Sequence, residues 1–146
     1  MRKIISLPMF CLLSLLTSCG QRPISTSSSK VIKKHDYSEI NYAKISYFSI
    51  FEQNEDEYYV YFYSPYCIHC SLLKDDIIEF TLSSNIPVYF VEVTEDMEFV
   101  DDIFLTIGAN EYSKVFAGKT PQLSFIKNHE VYFSIYGNDI DIYLFT

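Results

Sequence analysis

The pattern of apolar and polar positions divides the chain into a leader, a polar linker and a region with the periodicity of helices and strands. Arg2 and Lys3 precede an apolar run that ends at Leu16 and is followed by small residues. This run is too short for a membrane-spanning helix and is typical of a secretory signal peptide. The polar stretch GQRPISTSSS, which begins at Gly20, predicts a flexible tether. We therefore predict a signal peptide at 1–18, a tether at 19–35 and a folded domain at 36–146.

The folded domain begins with alternating helical and strand-like segments. Asp36 or Ser38 can cap a helix with Glu39 in its first turn, and apolar residues then recur at helical spacing to about Phe51. The next run, YYVYFYS at 58–64, is aromatic and β-branched without a helical period. Such a run predicts a strand that is buried on both faces.

The second half of the domain predicts one more helix–strand unit and then a hairpin. A helix is predicted to start at the cysteine pair that follows residue 66, and a strand follows at 86–93. The next predicted helix covers 94–108 and stops at Gly108. Strands at 120–127 and 130–137 come next, and a short final helix begins at Asn138 or Asp139. Asn128 and His129 separate the last two strands by the spacing of a two-residue hairpin turn. The fold class predicted from this order is α/β, with an open mixed sheet of about four strands flanked by helices.

The end of the leader carries a more specific signal than a small-residue cleavage site. The letters LTSC, which end at Cys19, resemble the lipobox of bacterial lipoproteins. That resemblance implies cleavage just before Cys19, attachment of diacylglycerol to its thiol, and a mature protein anchored by acyl chains to the extracytoplasmic face of a membrane. The alternative is an ordinary signal peptide with a coincidental cysteine.

Composition and charge exclude some classes of function. Cleavage before Cys19 leaves 128 residues, a single-domain length, and changes the formal charge from −8 to −10. This negative charge disfavours nucleic acid as a partner. Hydrophobic residues make up 49% of the chain, and they include 13 Tyr and 12 Phe but no Trp. This hydrophobic content is enough to fill a core.

Only two free thiols would remain in the mature chain, because Cys11 leaves with the leader and lipid consumes the thiol of Cys19; they stand three positions apart in the letters CIHC. Cys67 and Cys70 fall at the predicted strand-to-helix junction, where a helix N-terminus lowers the pKa of a thiol. Cys67 is therefore the predicted attacking thiol and Cys70 the resolving one. His69 between them can stabilise the thiolate, which makes a disulfide more oxidising. Its alternative is a surface histidine that points away from the sulfurs.

A strand followed by CIHC at a helix start, and Thr120-Pro121 at the head of a hairpin, together resemble the thioredoxin superfamily. The resemblance spans nearly the whole predicted domain. It implies a C-x-x-C redox site at Cys67 and Cys70, a cis peptide bond before Pro121 facing the cysteines, and backbone hydrogen bonds from Thr120 to a substrate. The inner dipeptide Ile68-His69 is similar to that of Dsb-type disulfide oxidases. The alternative for Pro121 is a proline with no role in a site, because proline is common at the first residue of a strand.

Three positions depart from the thioredoxin pattern. Tyr66 stands where thioredoxin has Trp, and Tyr61 stands where it has a buried Asp. Asp75 replaces the proline that kinks the thioredoxin helix. Without the buried carboxylate, the group that assists proton transfer at Cys70 is not identified by the sequence.

Three functions are consistent with these residues. The first is a membrane-anchored thiol–disulfide oxidoreductase that acts on thiols or disulfides of proteins and peptides, with Tyr66 and Tyr63 as an apolar rim for the substrate. It would need no cofactor, would be a monomer, and could exchange electrons with a redox partner in the membrane. The second is a redox-inactive accessory lipoprotein that binds a secreted peptide, as proposed for bacteriocin-export accessory proteins of this fold. The third is a metal site, in which His69, His35 or His129 joins the two cysteines, although one cysteine pair is half of what a structural zinc site needs.

Overall fold

The computed structural model describes residues 33–94, 97, 102–115 and 119–144. The predicted signal peptide, Cys19 and nearly all of the predicted tether lie outside the described residues. Among those described, no helix is both long and apolar enough to cross a membrane.

The centre of the fold is a mixed four-stranded sheet. Its strands are β1 (Glu57–Tyr63), β2 (Val88–Glu92), β3 (Gln122–Lys127) and β4 (Glu130–Tyr136), in the spatial order β2-β1-β3-β4. Strands β1 and β2 are parallel, and β3 is antiparallel to both β1 and β4. The predicted α/β fold with a mixed sheet of about four strands is confirmed.

Two α-helices complete the framework. Helix α1 (Ile68–Ser83) starts directly after the turn that follows β1, and α2 (Asn138–Leu144) follows β4. Both begin where the sequence placed them. The remaining described helical segments are short 3₁₀ turns at Tyr37–Ala43, Tyr47–Ser49, Ile103–Thr106 and Tyr112–Lys114.

The predicted first helix is two 3₁₀ segments instead of one α-helix. Its cap is as predicted, because the Asp36 carboxylate accepts from the Ser38 N–H and the Glu39 carboxylate accepts from the Asp36 N–H. The helical path is lost at Ile40, which has φ −115° and ψ 23°. The chain then turns to the sheet, where the Ile45 N–H donates to the Phe90 carbonyl at 2.9 Å. Pairing with the sheet thus outweighs the helical spacing of the apolar residues.

The predicted helix at 94–108 is described only in part. Residues 95, 96 and 98–101 lie outside the described residues, and the described remainder contains a single 3₁₀ segment at Ile103–Thr106. Gly108 ends that segment with φ +83°, in the left-handed region that favours glycine.

The hairpin turn is confirmed at Asn128 and His129. Their φ angles are 51° and 61°, the positive values that a two-residue turn of type I′ requires at both positions. The turn brings β4 back along β3, so that Gly137 at the end of β4 lies beside Pro121, and the Gly137 N–H donates to the Pro121 carbonyl at 2.9 Å.

The two faces of the sheet bury separate clusters, because successive side chains of β1 point to opposite faces. The cysteine face, as we name it, packs Tyr59, Tyr61 and Tyr63 of β1 against Cys70 and Ile77 of α1. The opposite face packs Tyr58, Val60 and Phe62 against apolar residues outside the two α-helices, among them Ile50, Met97 and Val115. The prediction that β1 is buried on both faces is confirmed.

Short chain segments cover part of each edge of the sheet. At the β2 edge, Lys44 forms a parallel bridge with Phe90 beside the Ile45 hydrogen bond. At the β4 edge, Val131 exchanges two backbone hydrogen bonds with Gly108 and Ala109, at 2.9 and 2.8 Å.

His35, the last residue of the predicted tether, is part of the folded structure. It is buried, its N–H donates to the Asp75 carboxylate at 2.8 Å, and its ring lies 3.1 Å from the Glu39 carboxylate. The packed part of the chain therefore includes residue 35.

Candidate active site

The turn between β1 and α1 places Cys67 at the N-cap of the helix. The Ser64 hydroxyl accepts from the Tyr66 N–H, and the Ser64 carbonyl accepts from the Cys67 N–H at 3.1 Å. Cys67 has extended backbone angles, and its sulfur accepts from the Cys70 N–H at 3.2 Å. A thiol thus occupies the position that Ser, Thr or Asp usually takes at a helix start.

The surroundings of Cys67 favour its thiolate. Burial opposes ionisation, but hydrogen bonds from the side chains of Cys70 and Thr120 and from the N–H groups of Cys70 and His69 outweigh burial and lower the pKa of Cys67. The partial positive charge at the start of α1 acts in the same direction. Cys67 is also partly exposed, as an attacking thiol must be.

Cys70 has the opposite environment. It is 1% exposed and lies inside the cysteine-face cluster. Burial and the hydrogen bond with Cys67 raise the pKa of Cys70 to about 12, so its thiol keeps its proton when Cys67 has lost one. Neither cysteine is in a disulfide here. The pair therefore consists of an accessible, acidic thiol above a buried, protonated one.

Thr120 and Pro121 lie against this pair. The peptide bond that joins them is cis, and the Cys67 S–H donates to the Thr120 carbonyl with an Sγ···O distance of 3.3 Å. Pro121 itself is buried. The two segments predicted to form one site, CIHC and Thr120-Pro121, are thus in contact.

His69 is exposed. Together with Pro121 it lines a cavity of about 140 Å³, whose other walls are Leu72, Leu73, Asp76, Gly137, Asn138 and Asp141. Among the described residues, the His69 ring makes no hydrogen bond with either sulfur, although its backbone N–H reaches Cys67. The role predicted for its imidazole at the thiolate remains a prediction.

Three exposed apolar side chains, which we name the apolar rim, lie close to Cys67 along the chain. Tyr66 is 96% exposed, Ile68 73% and Leu72 75%. Tyr63, which we expected beside Tyr66, is buried at 3% exposure because its side chain points into the cysteine face and stacks on Tyr37 at 4.6 Å. The expectation for Tyr63 was wrong, since alternation along β1 directs it inward.

The histidines proposed as metal ligands have other neighbours. The His35 ring lies against Glu39, and the His129 ring lies 3.2 Å from the Phe51 carbonyl. Within the described ranges, no group of three or more His, Cys, Asp or Glu side chains is arranged to hold a metal ion.

Several residues of the site were not predicted from the sequence. Leu72 is one of them: Leu73 next to it is buried, and Leu72 is 75% exposed. Lys119 lies over the Tyr136 ring at 5.7 Å on the far side of Thr120. Asn138 and Asp141, at the start of α2, line the cavity beside His69 and Pro121. The signal available for α2 was its position directly after the hairpin, which returns the chain to Pro121.

Solved structures of similar architecture are thioredoxins and related proteins. Thioredoxin f2 of Chlamydomonas reinhardtii is 13% identical, with 69% of this chain and 88% of that chain covered and a TM-score of 0.48. A protein with a thioredoxin fold is 20% identical over 73% and 91% of the two chains, with a TM-score of 0.49. Thioredoxin O2 of Arabidopsis thaliana in its oxidised state is 18% identical over 75% and 92%, with a TM-score of 0.43. No protein-family model and no curated protein matches the chain.

The fold is thioredoxin-like. The sheet order, the strand directions and the contact of Cys67 with Thr120, before the cis bond to Pro121, support this assignment. The resemblance seen in the sequence is confirmed at the level of the fold.

Proposed function

We propose that this protein is a thiol–disulfide oxidoreductase of proteins or peptides, anchored by lipid to the extracytoplasmic face of a membrane. The observation that carries the redox proposal is the asymmetry of the cysteine pair. Cys67 is partly exposed with a lowered pKa, and Cys70 is buried directly behind it with a raised pKa. A pair of this kind can attack a disulfide with the outer sulfur and release it with the inner one.

The surface around Cys67 supports a protein or peptide as the substrate. The apolar rim of Tyr66, Ile68 and Leu72 is larger than a small thiol needs, and exposed apolar side chains that cluster at one site are typical of an interaction surface. An extended segment docked against Thr120 and Pro121 would bring its sulfur to Cys67.

Equilibration of the purified protein in glutathione buffers tests the redox proposal. We expect a reversible two-electron couple of Cys67 and Cys70, with a potential of about −120 to −180 mV if the pair donates disulfides. A potential near about −270 mV would mean that the pair reduces its substrates instead. Absence of a reversible couple would overturn the proposal and favour the accessory-protein function.

The anchor is tested separately by fractionation of cells that express the full chain. We expect incorporation of labelled fatty acid and recovery of the protein with membranes, and we expect Cys19→Ser to abolish both. The matched control is Cys11→Ser, which should leave both unchanged because Cys11 lies in the predicted leader. A Cys19→Ser protein that is still cleaved and membrane-bound would exclude the lipid anchor.

A further inference from the structure

Two tyrosine hydroxyls are buried beside the cysteine pair without a hydrogen-bond partner among the described residues. They are the hydroxyls of Tyr37 and Tyr61. Tyr61 is completely buried, and Tyr37 packs against the same cluster. Because the great majority of buried polar atoms in proteins have a partner, two such atoms in one place require an explanation.

Both rings are held firmly at this position. Tyr37 stacks on Tyr63 at 4.6 Å and meets the edge of Phe90 at 6.3 Å. Tyr61 meets Phe90 at 5.4 Å and stacks on Tyr63 at 6.3 Å. Tyr61 and Cys70 belong to the same buried cluster, on the face of β1 that packs against α1. The hydroxyls therefore remain next to the cysteines by packing.

Both hydroxyls lie close enough to the cysteine pair for its charge to act on them. Burial raises the pKa of Tyr37 and Tyr61, and the negative charge of a Cys70 thiolate raises both further. Each phenol consequently keeps its proton at physiological pH and has an O–H that can donate a hydrogen bond. The two hydroxyls also influence each other, although neither bonds to the other with good geometry.

Further donors would help the buried sulfur to ionise, because burial outweighs the hydrogen bonds from the Ser64 backbone and the Thr120 side chain that lower the pKa of Cys70. No Asp or Glu is buried anywhere in the described residues. The other titratable groups of the cluster that contains Cys70 are Cys67, Tyr37, Tyr59, Tyr61 and Tyr63. The Tyr59 hydroxyl pairs with that of Tyr143 at 2.7 Å, and the Tyr63 hydroxyl donates to Glu92 at 3.4 Å. Tyr37 and Tyr61 are thus the groups with an unused proton.

We propose that the hydroxyls of Tyr61 and Tyr37 are positioning groups that donate hydrogen bonds to the Cys70 sulfur as it becomes a thiolate in the resolving step. The proposal rests on the redox function proposed above. In that step the Cys70 thiol gives its proton to solvent, and its sulfur attacks the Cys67 sulfur of a mixed disulfide. The Cys67–partner S–S bond breaks, and the partner leaves as a thiolate. The cysteine pair is oxidised by two electrons, which reduce the partner disulfide.

The reaction with 5,5′-dithiobis(2-nitrobenzoate) separates the two steps, because each releases one coloured thiolate. We would use the full chain with Cys11→Ser and Cys19→Ser, so that only Cys67 and Cys70 react. The variants are Tyr61→Phe, Tyr37→Phe and both together. The matched control is Tyr58→Phe, which removes a buried hydroxyl on the opposite face of the same strand.

We expect Tyr61→Phe to slow the second release by about tenfold, because a hydrogen bond to a charged group is lost, and to leave the first release unchanged. The pH at which the second release is half-maximal should rise, and the double variant should be slower still. Tyr58→Phe should leave both releases unchanged. Second-release rates within about twofold of the parent chain's, in both single variants and the double variant, would overturn the inference. A parent chain that shows no second release would overturn the proposed function instead.

Discussion

On the face of the sheet opposite the cysteines, the Tyr58 hydroxyl donates to the Ile50 carbonyl at 2.8 Å, whereas on the cysteine face the hydroxyls of Tyr37 and Tyr61 have no partner among the described residues. The cysteine face can satisfy tyrosines elsewhere, since the hydroxyls of Tyr59 and Tyr143 lie 2.7 Å apart. A buried polar group without a partner costs about 1–3 kcal/mol. The comparison indicates that the opposite face is arranged for stability, and that the cysteine face gives up some stability next to the two sulfurs.

The largest expected difference between the two faces is in thiol–disulfide exchange, which should depend on the attacking thiol of the cysteine face. Cys67→Ala should reduce thiol–disulfide exchange with a protein substrate to the rate of buffer alone, because the remaining thiol is buried and protonated. Cys70→Ala should instead retain the first step and accumulate a mixed disulfide, which is measurable by mass spectrometry. Cys11→Ala is the control with wild-type exchange. Exchange by Cys67→Ala at the wild-type rate would remove Cys67 from the chemistry.

The next effect concerns stability on the opposite face. Phe62 is 1% exposed, and Phe62→Ala should lower the free energy of unfolding by about 3–5 kcal/mol through lost burial and a new cavity. Urea denaturation measures this loss. In the protein that remains folded, alkylation of Cys67 should keep its pH dependence, because Phe62 points away from the site. A shifted alkylation profile would mean that the two faces are coupled.

The pH dependence of the free energy of unfolding should reveal the protonation of Cys70 on the cysteine face. The pKa of Cys70 is 9.0 in an ordinary environment and about 12 in the fold. The stabilisation that accompanies protonated Cys70 is therefore present below about pH 9 and is lost as the pH rises toward the folded pKa, by at most about 1.4 kcal/mol per pH unit. Urea denaturation of the reduced protein between about pH 9 and 10 measures the loss, since tyrosines ionise above that window. A Cys70→Ala protein with the same loss would assign the effect to other groups.

The smallest effect compares two single tyrosine hydroxyls on opposite faces of β1. Tyr58→Phe should cost about 1–2 kcal/mol, because it leaves the Ile50 carbonyl without its donor. Tyr61→Phe should cost nothing or stabilise the reduced protein slightly, because it removes a hydroxyl that has no partner. Urea denaturation midpoints of the two variants, measured under the same conditions, show whether their losses of stability differ. Equal losses would contradict the contrast between the faces.

The sequence was sufficient for the framework of the site. The aromatic run of β1, the start of α1 at the cysteines and the two-residue turn at Asn128 and His129 are local patterns, and each is present in the structure. The contact between Cys67 and Thr120 spans 53 residues of sequence. It was predicted only through resemblance to a known fold, because no local pattern specifies a contact at that separation.

Other features depend on tertiary packing and were not accessible from the sequence. Ile40 sits where sheet pairing interrupts a helical pattern, and Leu72 is turned outward because its neighbour Leu73 packs on the sheet. Tyr37 was an ordinary residue of a predicted helix. Its place beside Tyr61 follows only from the path of the chain across the cysteine face.

The segments that cover the sheet edges affect how this protein behaves at high concentration. An open edge strand exposes unpaired backbone groups that recruit strands from other molecules and so begin aggregation. Here Ile45 occupies the edge at Phe90, and Gly108 and Ala109 occupy the edge at Val131. A visiting chain at these two places would have to displace part of the fold before it could pair with the sheet. Backbone pairing with another chain is thereby hindered at Phe90 and Val131, whereas Cys67, at the end of β1, stays partly exposed.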